Sequence, residues 1–178
     1  MIEEEKTPKQ WHRYFIKKTA EYIKNNNIEG SFVECGVKQG SSSVIMAKTL
    51  NTQGYLFDTW KGFPNFSKID AFNDSRQKKL EKRVKIGADT YIDCVNNLSK
   101  NEVLYLCKMI RGDIGETVPE FIKNNKIKIN MLHIDTDLYE PAKIALENFY
   151  NLVVEGGIIF FHDFGDPTWP GIKKIIDD

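Results

Sequence analysis

A doubly wound α/β fold with a mostly parallel sheet is what this sequence predicts, and three observations predict it. Five short runs rich in β-branched and aromatic residues recur along the chain, and segments of helical periodicity lie between them. The runs are also apolar nearly throughout, instead of alternating with polar residues. Such strands need cover on both faces, and a parallel neighbour is reached only by a crossover, which a helix supplies.

The elements follow in order. "WHRYFIKKTAEYIKNNN" has apolar and aromatic residues at about helical spacing and ends in an Asn run, so a helix occupies the N-terminal region 1–29 and stops near Asn25. "SFVECGV" (31–37), "GYLFDTW" (54–60), "EVLYLCKMI" (102–110), "INMLHID" (129–135) and "GGIIFFHD" (156–163) read as strands. Helices are expected around 41–50, 89–99, 116–125 and 140–151. The polar insertion 61–89 is far longer than ordinary connections in such folds, so it reads as a lid over an acceptor site. Trp11, His12 and Tyr14 of the first helix would add to that wall. Within the insertion, "RQKKLEKRVK" reads as a solvated amphipathic helix.

A chain of 178 residues has room for one domain with a substantial core, so 1–178 is expected to be a single domain. Lys plus Arg equals Asp plus Glu at 25 each, which leaves no basic field to argue for nucleic acid. Neither a signal-peptide core nor a run of membrane-spanning length is present in the sequence, so it reads as cytoplasmic, with no membrane partner. Cys35, Cys94 and Cys107 lack the paired spacing of a metal site or a disulfide framework and read as buried free thiols.

Sheets of this kind bind ligands at the carboxyl ends of their strands. The first strand ends in "VECGVKQGSSS", an E-x-G-x-x-x-G loop in which Glu34, Gly36 and Gly40 precede a Ser-rich helix start at Ser41, whose hydroxyls can cap the exposed amides. The acidic residue and the wide Gly spacing fit S-adenosylmethionine better than a dinucleotide pyrophosphate. Asp58, at the end of the second strand, can take both ribose hydroxyls. Asp113, in "RGDIGE", either accepts from an adenine amino group or caps a turn or helix.

Asp135 and Asp137 close the fourth strand, and His162 and Asp163 the fifth. Each pair read separately is a set of loop caps and a packed histidine. Together they would hold a hard divalent cation such as Mg²⁺ and leave a carboxylate to accept a proton.

"VECGVKQGSS", "FDTWKGFP", "RGDIGETVP", "HIDTDLYEPAKIALENFY" and "GGIIFFHDFGDPTWPGIKKIIDD" together resemble the macrocin O-methyltransferase (TylF-like) family, from about Gly30 to the last residue. The resemblance implies a Rossmann-like class I methyltransferase fold. It also implies S-adenosylmethionine- and Mg²⁺-dependent methylation of a sugar hydroxyl on a small molecule. Asp135, His162 and Asp163 fall on its metal ligands and Asp137 on its general base. His162 departs from the family's usual Asp, which would weaken Mg²⁺ and favour softer ions such as Mn²⁺. The two strands that usually complete the sheet are missing. Either the chain is truncated or partly ordered, or a partner, a second copy of the chain included, covers the open edge. Two other functions stay open: methylation of another acceptor class, such as a catechol, and a nucleoside-binding or assembly module without catalysis.

Overall fold

The computed structural model describes residues 7–63, 67–70 and 89–178. Helix α1 (Pro8–Asn25) leads into β1 (Ser31–Cys35), α2 (Ser41–Leu50), β2 (Gly54–Asp58) and a 3₁₀ turn at Lys68–Asp70. Then come α3 (Tyr91–Lys100), β3 (Cys107–Arg111), α4 (Ile114–Asn124), β4 (Ile129–Ile134), α5 (Tyr139–Phe149), β5 (Val153–Phe161) and α6 (Pro170–Asp177). The strands form one parallel sheet in the order β3-β2-β1-β4-β5, the doubly wound arrangement expected. The third strand is shorter than its apolar run, because Leu104–Leu106 turns as a 3₁₀ segment before Cys107. Residues 64–66 and 71–88, which hold most of the insertion read as a lid and all of "RQKKLEKRVK", lie outside the described residues.

Position in the sheet explains burial. β4, flanked by strands on both sides and covered on both faces, is buried at every position, whereas the edge strands β3 and β5 are not. On one face α1, α2 and α3 lay Ile16, Ala20, Ile23, Met46, Ala47 and Leu98 over Phe32, Leu56 and Met131. The α1 residues recur at the i, i+4, i+7 spacing of a single helix stripe. On the other face Val118, Phe121, Ala142, Ala145 and Phe149 cover Val33, Phe57 and Leu132. Each large apolar side chain so buried contributes about 1.5–3 kcal/mol. No helix among the described residues is long and apolar enough to cross a membrane.

From β1 the chain winds outward through β2 and β3, then crosses back to β4 and β5, so the direction of winding reverses between β1 and β4. The crevice for a ligand opens there, at the carboxyl ends of these two strands. Register places Glu34, His133 and Phe160 side by side across β1, β4 and β5. Alternation along the strands then points Asp135 and His162 to the same face of the sheet, the one that α1 covers.

Candidate functional site

β1 leaves the sheet through Gly36 at φ +86, where a Cβ would stand 2.0 Å from the carbonyl oxygen of Asp135. Only glycine lets the β1 exit lie this close to the β4 exit. Gly40, at φ +71, is the N-cap of α2 and offers no side chain to the first-turn amides. The serines do not cap them either, contrary to the sequence expectation. The Ser42 and Ser43 hydroxyls each donate to one oxygen of the Glu34 carboxylate, while Ser41 begins the helix half-buried. Glu34 is fully buried, and His133 Nδ1 lies 3.0 Å from its Oε1. It therefore braces the loop from beneath, instead of facing the ammonium or ribose for which the sequence had suggested it. The first-turn amides of α2 receive no side-chain cap, a setting that favours an anionic group.

Asp58, too, has protein partners at its strand end. Its carboxylate accepts from the amides of Val37 at 2.6 Å, Lys38 at 2.7 Å and Trp60 at 2.6 Å, and so knits the β1 and β2 exit loops together. Asp113 is the N-cap of α4, with Oδ1 accepting from the Gly115 amide at 2.7 Å, which realises the capping alternative. It also lines an open cleft of about 500 Å³ with Thr59, Lys61, Phe63 and Arg111. The Arg111 guanidinium pairs with Asp89 and lies 5.1 Å over the Tyr91 ring.

At the β4 and β5 ends the fold brings together the four groups that the sequence singled out. Ligand atoms of Asp135, Asp137 and Asp163 lie within 4.8 Å of one another. His162 Nδ1 is 2.7 Å from Asp163 Oδ1 and 3.1 Å from Asp135 Oδ1. Asp137 and Asp163 have φ of 62° and 61°, a left-handed conformation that few residues besides Gly, Asn and Asp adopt. The Asp163 side chain is 7% exposed, and its buried Oδ2 has no donor among the described residues unless Asp137 carries a proton. Burial first, then hydrogen bonding to Asp163 and the charge of Asp135, push the Asp137 carboxyl up to about 9. Burial would lower His162, but the Asp135 and Asp163 carboxylates outweigh it and hold the imidazole up at about 10. Asp135 goes the other way: burial would raise it, yet His162 keeps it below the usual carboxylate range. Three crowded carboxylates are thus balanced by one imidazolium and one retained proton.

Three further residues belong to this region. His12 reaches it from α1, its ring centroid 4.1 Å from that of His162 and its Nε2 3.4 Å from His133 Nε2. Burial first, then His162 and His133, lower His12 to about 4. All 3 histidines of the chain therefore join in one run of contacts that begins at Glu34. Two signals could have found them: His133 precedes Asp135 by two in a strand, and His12 precedes the core residue Ile16 by four in a helix. Trp11 and Tyr14, expected beside His12, are 43% and 39% exposed. The third residue, Asp70, is buried in the 3₁₀ turn and accepts from the Tyr139 amide at 2.9 Å and the Ser67 hydroxyl at 2.6 Å. It caps α5 just beyond Asp137, and nothing in its sequence context announced it. The cysteines are free as expected, Cys35 and Cys94 buried and Cys107 half-buried; burial, aided by the Glu34 carboxylate, pushes Cys94 and Cys107 up to about 12.

The family model of macrocin-O-methyltransferase (TylF) matches residues 13–178. Demethyldecarbamoylnovobiocin O-methyltransferase of Streptomyces niveus is 24% identical over 170 residues, 92% of this chain and 63% of that one. The 8-demethyl-8-(2,3-dimethoxy-alpha-L-rhamnosyl)-tetracenomycin-C 4'-O-methyltransferase of Streptomyces olivaceus is 24% identical over 151 residues, 81% of this chain and 56% of that one. The chain thus spans 63% and 56% of the length of these curated relatives. Among solved structures, the O-methyltransferase NovP superposes with a TM-score of 0.76 at 23% identity, over 93% of this chain and 69% of that one. More distant O-methyltransferases of the same fold have been solved with S-adenosylmethionine or S-adenosylhomocysteine bound.

Proposed function

The chain belongs to the macrocin-O-methyltransferase (TylF) family, and from that premise we propose that it transfers a methyl group from S-adenosylmethionine to a hydroxyl of a sugar or glycosylated small molecule, assisted by a divalent cation, Mg²⁺ or Mn²⁺. The observation that carries the reading is the convergence of Asp135, Asp137, His162 and Asp163 at the ends of β4 and β5, beside the Gly36–Gly40 loop. A rhamnosyl 4'-O-methyltransferase among the relatives supports a sugar hydroxyl as the acceptor.

The residues fit both groups. Asp163 Oδ2 is a buried acceptor in search of positive charge, and a set of carboxylates with one imidazole suits a small divalent ion. The cleft of about 500 Å³ beside Asp113 lies within the range of ordinary small-molecule sites, about 300–1,000 Å³. In this reading Asp113 and Arg111 flank the adenine end. The uncapped first-turn amides of α2, from Ser41 on, take the methionine carboxylate; Gly40, whose own amide donates to the Val37 carbonyl, turns the chain into them, and Gly36 allows close approach. Glu34 and Asp58 hold the loops that form the seat, and Asp58 retains lone pairs for the ribose hydroxyls.

The acceptor oxygen attacks the sulfonium methyl carbon in line. The C–O bond forms as the S–CH₃ bond breaks, the sulfur keeps the electron pair, and the hydroxyl proton passes to Asp137. A cation held by Asp135, His162 and Asp163 would supply charge that lowers the pKa of the hydroxyl. Asp137 can receive that proton only once it has lost its own. Neutralisation of its crowded neighbours favours that loss, because their negative charge is part of what keeps the carboxyl protonated.

The experiment is methyl transfer from radiolabelled S-adenosylmethionine to a panel of rhamnosides, other glycosides and catechols, with Mg²⁺, Mn²⁺ or chelator. Label appearing on a sugar hydroxyl, and lost with chelator, is the expected result. Transfer to catechols alone would move the acceptor class, and cofactor binding without transfer to any acceptor would leave a nucleoside-binding module.

A further inference from the structure

We propose that His12, carried to the sheet by α1, is itself a ligand of the cation at the β4–β5 edge. The set His12, Asp135 and His162 then selects a transition cation of the Mn²⁺ or Co²⁺ class over Mg²⁺. This rests on the metal-assisted reading above and deepens it, since neither the strand-end motifs nor the sequence resemblance involves α1.

Geometry carries the argument. One ligand atom from each of His12, Asp135 and His162 lies within 4.8 Å of the others. This set shares Asp135 with the all-oxygen set of Asp135, Asp137 and Asp163, so one ion between them would meet nitrogen from one side and oxygen from the other. The two imidazoles meet at 62° between planes, edge to face, so neither ring covers the other. Asp163 supplies a second, independent pointer: its side chain is 7% exposed and its Oδ2 has no donor among the described residues but a proton held by Asp137, so once Asp137 is ionised only a cation can satisfy it.

Hydrogen bonding also sets the His12 tautomer. Glu34 already takes the Ser42 and Ser43 hydroxyls as an acceptor, so it takes Nδ1–H of His133 in the same way. His133 Nε2 is then an acceptor for Nε2–H of His12, which leaves the His12 Nδ1 lone pair unused. A carboxylate behind an imidazole is the usual backing of a metal-bound histidine, here lengthened by one ring. Two imidazoles with a carboxylate suit borderline transition ions, whereas Mg²⁺ prefers oxygen donors and gives up water reluctantly.

The test uses the full chain stripped of metal, titrated calorimetrically with Mg²⁺ and Mn²⁺, with imidazole nitrogens counted by pulsed electron paramagnetic resonance of the Mn²⁺ form. Wild type should show two coordinated imidazoles and bind Mn²⁺ at least about tenfold more tightly than Mg²⁺. His12→Ala and His12→Gln should each show one imidazole and lose about tenfold or more in Mn²⁺ affinity. Gln keeps a polar partner for His133, and circular dichroism reports whether α1 remains helical; should both variants lose α1, the wild-type count decides alone. One imidazole in wild type, or unchanged Mn²⁺ affinity in a folded His12→Gln, overturns the proposal and leaves the metal-assisted reading standing. No cation binding at all overturns both.

Discussion

The two halves of the sheet treat their acidic residues in opposite ways. On the β1–β2–β3 side every acidic residue at a strand end has its donors: Glu34 has two hydroxyls and an imidazole, Asp58 three amides, and Asp113 the amide of its own helix. On the β4–β5 side Asp135, Asp137 and Asp163 crowd one another, two of them on left-handed backbone, and Asp135 and Asp163 share the ion pair of one imidazole, His162. Satisfied carboxylates stabilise the fold that holds them. Crowded ones cost stability, and such a cost persists where the group has a task that folding does not set. In the function proposed here, the first half is a seat built by folding, and the second is a charge held ready for a cation and a proton.

The largest effect should come from the crowded half. If Asp137 takes the proton, Asp137→Asn lowers kcat by roughly 10²–10⁴ with cofactor and metal affinity nearly unchanged. Asp135→Asn should instead raise the metal concentration needed for activity, because a neutral amide oxygen is a poorer ligand for a hard ion. Metal titrations of activity in both variants separate the roles. Equal metal dependence in the two would erase the division of labour, and full activity of both without metal would make these aspartates ordinary loop residues.

A smaller effect should distinguish the halves by stability. Asp58→Ala leaves the amides of Val37, Lys38 and Trp60 without their acceptor, so it should cost about 1–3 kcal/mol in denaturant unfolding and weaken S-adenosylmethionine binding by a similar amount. Asp137→Asn, by contrast, should leave metal-free stability at pH 8 unchanged or raised, since an amide replaces a carboxyl that the fold keeps protonated. Loss of stability in Asp137→Asn with none in Asp58→Ala would invert the comparison. A calorimetric affinity unchanged in a folded Asp58→Ala would confine Asp58 to loop closure.

How much of this was legible in the sequence follows from the same contrast. The sheet was readable because fully apolar strands are a local pattern, and the convergence at β4 and β5 was readable because parallel topology brings adjacent strand ends together. The partners of Glu34 and Asp58 were not. Acceptance from Ser42, Ser43 or backbone amides depends on the path of a turn, which the residue types leave open. His12 was half legible: its spacing to Ile16 fixes the buried side of α1, but only tertiary docking decides that this side meets His162. Asp70 was not legible at all, since its partner Tyr139 is distant in sequence and it lies in an insertion without regular periodicity.

The last effect follows from protonation, and it asks whether the crowding is real in solution. The folded state raises the Asp137 carboxyl from the ordinary Asp value, about 4, up to about 9. A carboxyl raised on folding contributes stability that is fully present below its unfolded pKa and is lost as pH climbs through its folded pKa. The window is therefore about pH 4 to about pH 9. Asp137→Asn has no such group, so the melting temperature of metal-free wild type should fall relative to this variant across the window, by about 2–4 °C for each kcal/mol lost. The raised His162 lowers stability between about pH 6.5 and about pH 10 in both proteins, which is why the difference between them is the quantity to measure. A saturating divalent cation should flatten the difference, because it offers the ionised Asp137 a charged neighbour in place of a proton. Melting curves that run parallel from pH 5 to pH 9 without metal would mean that Asp137 titrates like an exposed carboxyl. The β4–β5 half would then be no more strained than the half built around Asp58.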